Sequence, residues 1–448
     1  MATARWEPVS RLHVHYQDDG EAVLVGGLAV DASGRVHFQY ERSWIESKRE
    51  LSPMTLPLDI DREVVPAPDR RKLHGLHGLF ADSLPDAWGM RVLDLALRRH
   101  GIDPQRAGPL DRLAYLGDRT MGALTYRPPT DDQHEAARAA SLDRLAAQAE
   151  RIYEGTIDTE SPATPGTIDD IERAVGSAGG AQPKVLIAVS PDSASMVSGG
   201  EPPPGYRSML LKFTPRRDGL GLRTDCGPLE QAYALMARDA GLEMPMSSLM
   251  PTADGRLHFA VERFDRMAAG GRRHVHTLGG LLGREAWEAG DYDELFRVTR
   301  ALTQDVRPLE EVLRRLCFNR AVLNDDDHLK NVAFVMDAEG EWRLAPAYDL
   351  TYSPSRGGGR GMSVDGVESG VTWRAVELLA ARHGVKRARV SEIRERVEAS
   401  VGRWAQFAEE ARVPSASVAE LAKAIAVRSE LLGGGEPAIR KTTNGATP

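Results

Sequence analysis

Apolar and polar residues alternate with a period of two at the start of the chain. Leu12, Val14 and Tyr16 fall on one face, and Val36, Phe38 and Tyr40 do the same after a turn at Asp31-Ala32-Ser33-Gly34. Such alternation predicts strands that are buried on one side and wet on the other. The period then changes. Trp88, Val92 and Leu95 line one side of a helix expected over residues 84–100, with Pro85 suited to its first turn and Gly101 able to end it. Arg127-Pro128-Pro129-Thr130-Asp131-Asp132 breaks both periods and reads as a linker. A first unit is therefore expected over residues 1–130.

Residues 141–154 return to the helical period. A Gly-rich stretch, Ser177–Lys184, leads into the apolar run Val185–Val189, and Ser190–Gly205 reads as a long loop. Met209–Phe213 and His258–Phe264 predict strands, with a helix over Leu229–Ala240 between them. A Gly-rich loop, strands and one inserted helix suit a small nucleotide-binding lobe, placed at residues 131–265. Beyond residue 266 the pattern is mostly helical: around Leu309, Val312, Leu313 and Leu316, then over Arg374–His383, Val390–Glu409 and Val418–Leu432. Val332–Val335 and Trp342–Leu344 are the strand-like exceptions. Gly357-Gly358-Gly359 predicts a mobile loop and the tail from Gly433 a frayed end. The fold class expected is α+β, closing with a helical unit over 266–448.

Composition narrows the function. The 448 residues allow two or three cores. A formal net charge of -8 argues against free-standing nucleic-acid binding, which needs a positive surface. Cys226 and Cys317 are the only cysteines and have no metal-ligand spacing, which fits a reducing compartment. Met1–Trp6 lacks the apolar run of a signal peptide, and no stretch reads as a membrane span. A cytoplasmic location is expected.

Chemistry concentrates in Leu323-Asn324-Asp325-Asp326-Asp327-His328-Leu329-Lys330-Asn331. An acidic run is ordinarily a solvated turn. This one joins a helix to an apolar strand, a place from which acids can face a cleft. Phosphoryl transfer to a hydroxyl needs a carboxylate to orient that hydroxyl, oxygen ligands for Mg²⁺, and cations or N–H groups for the phosphates. Protein kinases set the base and an Mg²⁺-binding Asn on one loop with four residues between them. Asp326 and Asn331 have that spacing; Asp325 and Asp327 do not. A second oxygen ligand is expected after a following strand, and Ala347-Tyr348-Asp349-Leu350 supplies Asp349. Alone, Asp349 would read as a turn or cap.

Gly176–Lys184 is rich in small residues that let backbone N–H groups approach phosphate oxygens. It is not a Walker A loop, and Val175 stands where a hydrolase elbow needs its first glycine. Lys212 lies inside an apolar strand. Such a lysine ordinarily reaches outward to solvent, but in a nucleotide-binding lobe it reaches phosphates, with Glu230 on the inserted helix as the candidate ion-pair partner.

Taken in order, these motifs resemble the HipA family of serine/threonine protein kinase toxins. The resemblance rests on Ser177–Lys184, Leu211-Lys212, Val261-Glu262-Arg263-Phe264-Asp265-Arg266, Asn324–Asn331 and Ala347-Tyr348-Asp349. Phe80-Ala81-Asp82-Ser83-Leu84-Pro85 and Tyr115–Leu124 are similar to the family's N-terminal signatures, so nearly the whole chain is covered. The resemblance implies a two-lobed kinase fold with a β-rich N-terminal subdomain, using ATP and Mg²⁺. It implies that Asp326 is the base and that Asn331 and Asp349 hold Mg²⁺. Gly179, Gly180, Ala181, Gln182, Pro183 and Lys184 would cover the ATP phosphates and Lys212 contact them. Glu262, Arg263 and Phe264 would hold adenine between the lobes. His328, Leu329, Lys330 and Tyr348 would lie beside the nucleotide, and Ser177 matches an autophosphorylated serine. The implied partners are a HipB-like helix-turn-helix antitoxin, operator DNA through that antitoxin only, and a protein substrate such as an aminoacyl-tRNA synthetase.

Three segments depart from the pattern. Pro183 stands where the family usually has an acid, His276-Thr277-Leu278-Gly279-Gly280 replaces a more polar segment, and the Ser190–Gly205 loop is long. None removes a core catalytic residue. The alternatives are a kinase-like corepressor scaffold, a small-molecule kinase, and, more distantly, a serine hydrolase using Ser177 and His328.

Overall fold

The computed structural model describes residues 6–18, 20–58, 64–129, 137–156, 168–176, 179–219, 222–267, 270–354 and 361–434. Ser177, the glycines at 357–359 and the tail after residue 434 lie outside them.

The N-terminal unit is built on a five-stranded sheet of β1 (Arg11–Tyr16), β2 (Val23–Val30), β3 (Val36–Tyr40), β4 (Val65–Pro66) and β5 (Leu124–Arg127), in the order β4-β3-β2-β1-β5. Alternation puts Leu12, Val14, Tyr16, Val36, Phe38 and Tyr40 into the core, as the period of two requires. The middle unit is a six-stranded sheet of β6 (Arg138–Ala139), β7 (Lys184–Val189), β8 (Met196–Ser198), β9 (Arg207–Lys212), β10 (Ser247–Pro251) and β11 (Leu257–Glu262), ordered β10-β11-β9-β7-β8-β6. The helix Cys226–Asp239 packs on β10 and β11. In the C-terminal unit, β12 (His274–Thr277), β13 (Ala333–Met336) and β14 (Trp342–Leu344) form a small sheet beside helices that include Arg307–Ala321 and Ser415–Leu432. Among the described residues, the pairings between these named strands are antiparallel.

Four sequence expectations change. Ser190–Gly205 contains β8, whose three residues are too few to show a period. The C-terminal unit gains β12, because His274 and His276 point inward and read as polar in the pattern. The helix expected over Val390–Glu409 is two, Arg387–Val401 and Trp404–Glu410, separated at Gly402-Arg403. The helix after Pro85 starts at Ala87 with Asp86 at its N-cap, so Pro85 precedes the helix instead of opening it.

That helix, Ala87–Arg99, ties the units together. Trp88, Val92 and Leu95 pack with Val185, Ile187 and Leu211 of the middle sheet, while Leu93, Ala96 and Leu97 pack with Ile102 and Tyr115. The Trp88 indole donates to the Lys184 carbonyl at 2.9 Å. On the other side, a Cβ on Gly78 would collide with the Gly280 carbonyl, so the N-terminal unit meets the C-terminal unit backbone to backbone. The N-terminal unit thus packs against both the middle sheet and the C-terminal unit.

Candidate active site

Lys212 ends β9. Its ammonium is buried and donates to Glu230 Oε1 and to Asp349 Oδ1, each at 2.5 Å. A strand, a helix and a loop thus converge on one cation. Burial pushes the Lys212 ammonium down, but Asp349 and Glu230 outweigh it and hold it above the usual lysine range. Burial likewise pushes Asp349 up, and Lys212 with Lys184 reverses the shift, leaving that carboxyl well below the carboxylate range. Lys184 sits opposite Lys212 in the β7–β9 ladder. Burial and that neighbouring charge push its ammonium down to about 8. Its Nζ donates to the Gly179 carbonyl, closing the base of the Gly-rich loop.

The three acids of the second loop are sorted by what surrounds them. The helix Arg307–Ala321 brings Arg320 beneath the loop. Its guanidinium grips buried Asp327 at 2.6 and 2.7 Å, and the Tyr292 hydroxyl donates to the same carboxylate at 2.5 Å. Buried Asp325 accepts from Arg428 at 2.7 and 3.1 Å. Asp326 is the more exposed of the three and lines a groove with His328, Asn331 and Asp349. Leu323 enters the loop at φ 57°, an uncommon conformation for a bulky residue, and Asp349 stands at φ 57° as well. The Asp326 carbonyl accepts from the His328 N–H at 2.9 Å and from the Asn331 side-chain amide at 2.7 Å. The His328 ring accepts from the Lys330 N–H at 3.2 Å, and the Tyr348 hydroxyl donates to the Lys330 carbonyl at 2.6 Å.

An inner cleft adjoins this groove. Gly179, Gly180, Lys184, Lys212, Glu230, Lys330, Asn331, Tyr348 and Asp349 line it with apolar Leu210, Phe259, Val261, Phe264 and Val275. Phe264 and Tyr348 lie with ring centroids 5.8 Å apart. Ala181 and Gln182 line the outer groove, and the Gln182 amide donates to the Phe213 carbonyl at 3.1 Å.

Other expected site residues lie at the rim of the cleft or buried beside it. Glu262 and Arg263 border the cleft, but their N–H groups donate to Met246 and Ser208 carbonyls at 2.8 and 2.9 Å. Their side chains pair with Arg207 and Asp265 respectively. Pro183 is buried at the loop base, where its carbonyl accepts from the Phe213 N–H at 2.8 Å. Leu329 is fully buried beneath the acidic loop. These two support the cleft from below.

Sequence reasoning missed Asp86 and Asp82. Asp86 accepts from the Gly180 N–H at 2.7 Å and from Lys330 at 2.9 Å. Asp82 takes the Thr277 N–H at 2.7 Å and faces His276 at 2.6 Å, which gives the departing His276–Gly280 segment its anchor. The signal for Asp82 was its place in an N-terminal signature. Asp86 carried no signal beyond a helix start.

Comparisons with known proteins agree with this architecture. The family model for a HipA N-terminal domain matches residues 12–127, and that for a HipA-like C-terminal domain matches residues 176–405. The YjjJ toxin of Escherichia coli K12 is 26% identical over 253 residues, 54% of this chain and 51% of that protein. Y4dM of Sinorhizobium fredii NGR234, whose name proposes a kinase, is 30% identical over 140 residues, 28% of this chain and 34% of its own length. The matched part of the chain thus spans about half or less of these curated relatives. HipA from the HipA, HipB and operator DNA complex of Shewanella oneidensis MR-1 superposes with a TM-score of 0.66 at 20% identity, covering 95% of this chain and 98% of that one. The fold is the two-lobed, kinase-like α+β arrangement with an added β-rich subdomain. Both family models fit in order along the one chain, and this protein belongs to the HipA family.

Proposed function

We propose that this chain is an ATP- and Mg²⁺-dependent serine/threonine protein kinase, the toxin of a HipBA-type module. The observation that carries the reading is Lys212 held between Glu230 and Asp349 at 2.5 Å, beneath a Gly-rich loop and beside a loop that leaves Asp326 at the groove. A structural lysine needs one counter-ion; two acids from separate elements fix its position for phosphate contact.

The residues suit the metal. Asn331 donates its amide N–H to the Asp326 carbonyl, which directs its own carbonyl oxygen away from that contact. With Asp349 it offers hard oxygen donors of the kind Mg²⁺ takes. Among the described residues no group of three or more His, Cys, Asp or Glu could hold a metal ion. Further ligands would come from phosphate and water. Bound Mg²⁺ supplies neutralisation of phosphate charge. Lys184 and Lys212 orient the phosphates, the apolar inner cleft excludes water around the adenine ring, and Asp326 accepts the proton of the acceptor hydroxyl at the groove.

The partner is a HipB-like antitoxin, through which operator DNA would be reached. The substrate is a protein, such as an aminoacyl-tRNA synthetase. No helix among the described residues is long and apolar enough to cross a membrane.

Two outcomes test the reading. Incubation of the purified chain with Mg-ATP should place phosphate on Ser177, as intact mass measurement and peptide mapping would register, and Asp326→Ala should abolish it. An active enzyme with Ser177 unmodified would remove autophosphorylation from the account. Nucleotide affinity should also respond to pH through Lys184. Burial and the Lys212 charge push its ammonium down to about 8, and phosphates favour the charged form. Affinity should therefore be constant below about pH 7 and fall by up to about tenfold per pH unit above 8. Lys184→Met should flatten the profile; an unchanged profile in that variant would exclude Lys184 as its source.

A further inference from the structure

Asp86 is used neither by the chemistry above nor by its own helix. It occupies the N-cap of Ala87–Arg99, where an aspartate ordinarily accepts from N–H groups of the first turn. Its carboxylate makes no such bond. Oδ2 instead accepts from the Gly180 N–H at 2.7 Å, and Oδ1 from the Lys330 ammonium at 2.9 Å. The side chain reaches into the inner cleft beside Lys184. A Cβ on Gly179 would lie 2.7 Å from Oδ2, so the carboxylate fits only because that position has no side chain.

A loop N–H with an adjacent ammonium is the donor set that phosphate oxygens seek. Here a carboxylate from the N-terminal unit already fills it. We propose that Asp86 is a built-in stand-in for a nucleotide phosphate, seated on Gly180 and Lys330, which an incoming phosphate must displace. This rests on reading Gly179–Lys184 as the phosphate loop. Two anions cannot share these donors without repulsion, so Asp86 lowers affinity for phosphorylated ligands. It has no such effect on a nucleoside, which carries no charge to compete. It also keeps Lys330 and the loop together while no nucleotide is bound.

The test is calorimetry on the full chain with Mg²⁺ and a non-hydrolysable ATP analogue, and separately with adenosine. Asp86→Asn keeps the size of the side chain and removes its charge. Asp86→Ser is too short to bridge the loop and Lys330 but suits an N-cap position, so a folding defect in one variant does not decide the result. Both should bind the ATP analogue about tenfold more tightly than wild type at low ionic strength, with unchanged adenosine affinity and a gap that narrows as salt is added. Equal or weaker binding of the analogue, or an equal gain for adenosine, would overturn the inference alone. Wild-type protein that binds neither ligand would overturn the nucleotide site and this inference with it.

Discussion

Replacing Asp326 by alanine should lower phosphotransfer by about 10²–10⁴-fold, the range a general base contributes, while nucleotide affinity stays close to wild type. The side chain lines the outer groove, whereas the inner cleft is built from Lys184, Lys212, Asn331 and Asp349. The turn of the loop is held through the Asp326 carbonyl, which alanine keeps. Calorimetry with the ATP analogue and a phosphotransfer assay on the same preparation separate the two effects. Equal loss of binding and turnover would make Asp326 a structural residue or a metal ligand.

The second large effect is on stability. Arg320 and Asp327 form a buried ion pair in which one guanidinium nitrogen meets both carboxylate oxygens, both side chains at most 5% exposed. Arg320→Ala would leave the carboxylate buried with the Tyr292 hydroxyl and the Asn319 amide but no cation. Breaking such a pair costs about 3–5 kcal/mol. Arg42→Ala is the control, because its ion pair with Glu46 is about two-thirds exposed on both sides and should be worth less than about 1 kcal/mol. Denaturant unfolding of both variants reads the difference. The double variant Arg320→Met/Asp327→Leu should recover part of the loss, since matched apolar residues remove the desolvation penalty. An Arg320→Ala protein as stable as Arg42→Ala would show that the loop does not depend on this pair.

Local signals were legible for many of the candidate residues. The four-residue gap between Asp326 and Asn331 singled out one acid of three; in the structure Asp327 and Asp325 are buried against Arg320 and Arg428, and Asp326 lies at the groove. Lys212 and Glu230, 18 residues apart, lie on a strand and a helix that the periodicity had already drawn. What stayed hidden depends on long-range contact. Asp86 meets Gly180 94 residues away and Lys330 244 away. An aspartate just before a helix reads as a cap whatever it touches. Buried histidines hid β12, because a polar residue inside the core breaks the pattern that marks a strand. Glu262 and Arg263 line the cleft, but the sequence could not reveal that their N–H groups already had carbonyl partners.

The most direct measurement is quantitative phosphoproteomics after induced expression of wild-type protein and of Asp326→Ala at matched levels. The account predicts phosphoserine or phosphothreonine on a small set of proteins, and on the chain itself, in the wild type only. Indistinguishable phosphoproteomes, with the wild-type chain folded and binding nucleotide, would contradict it.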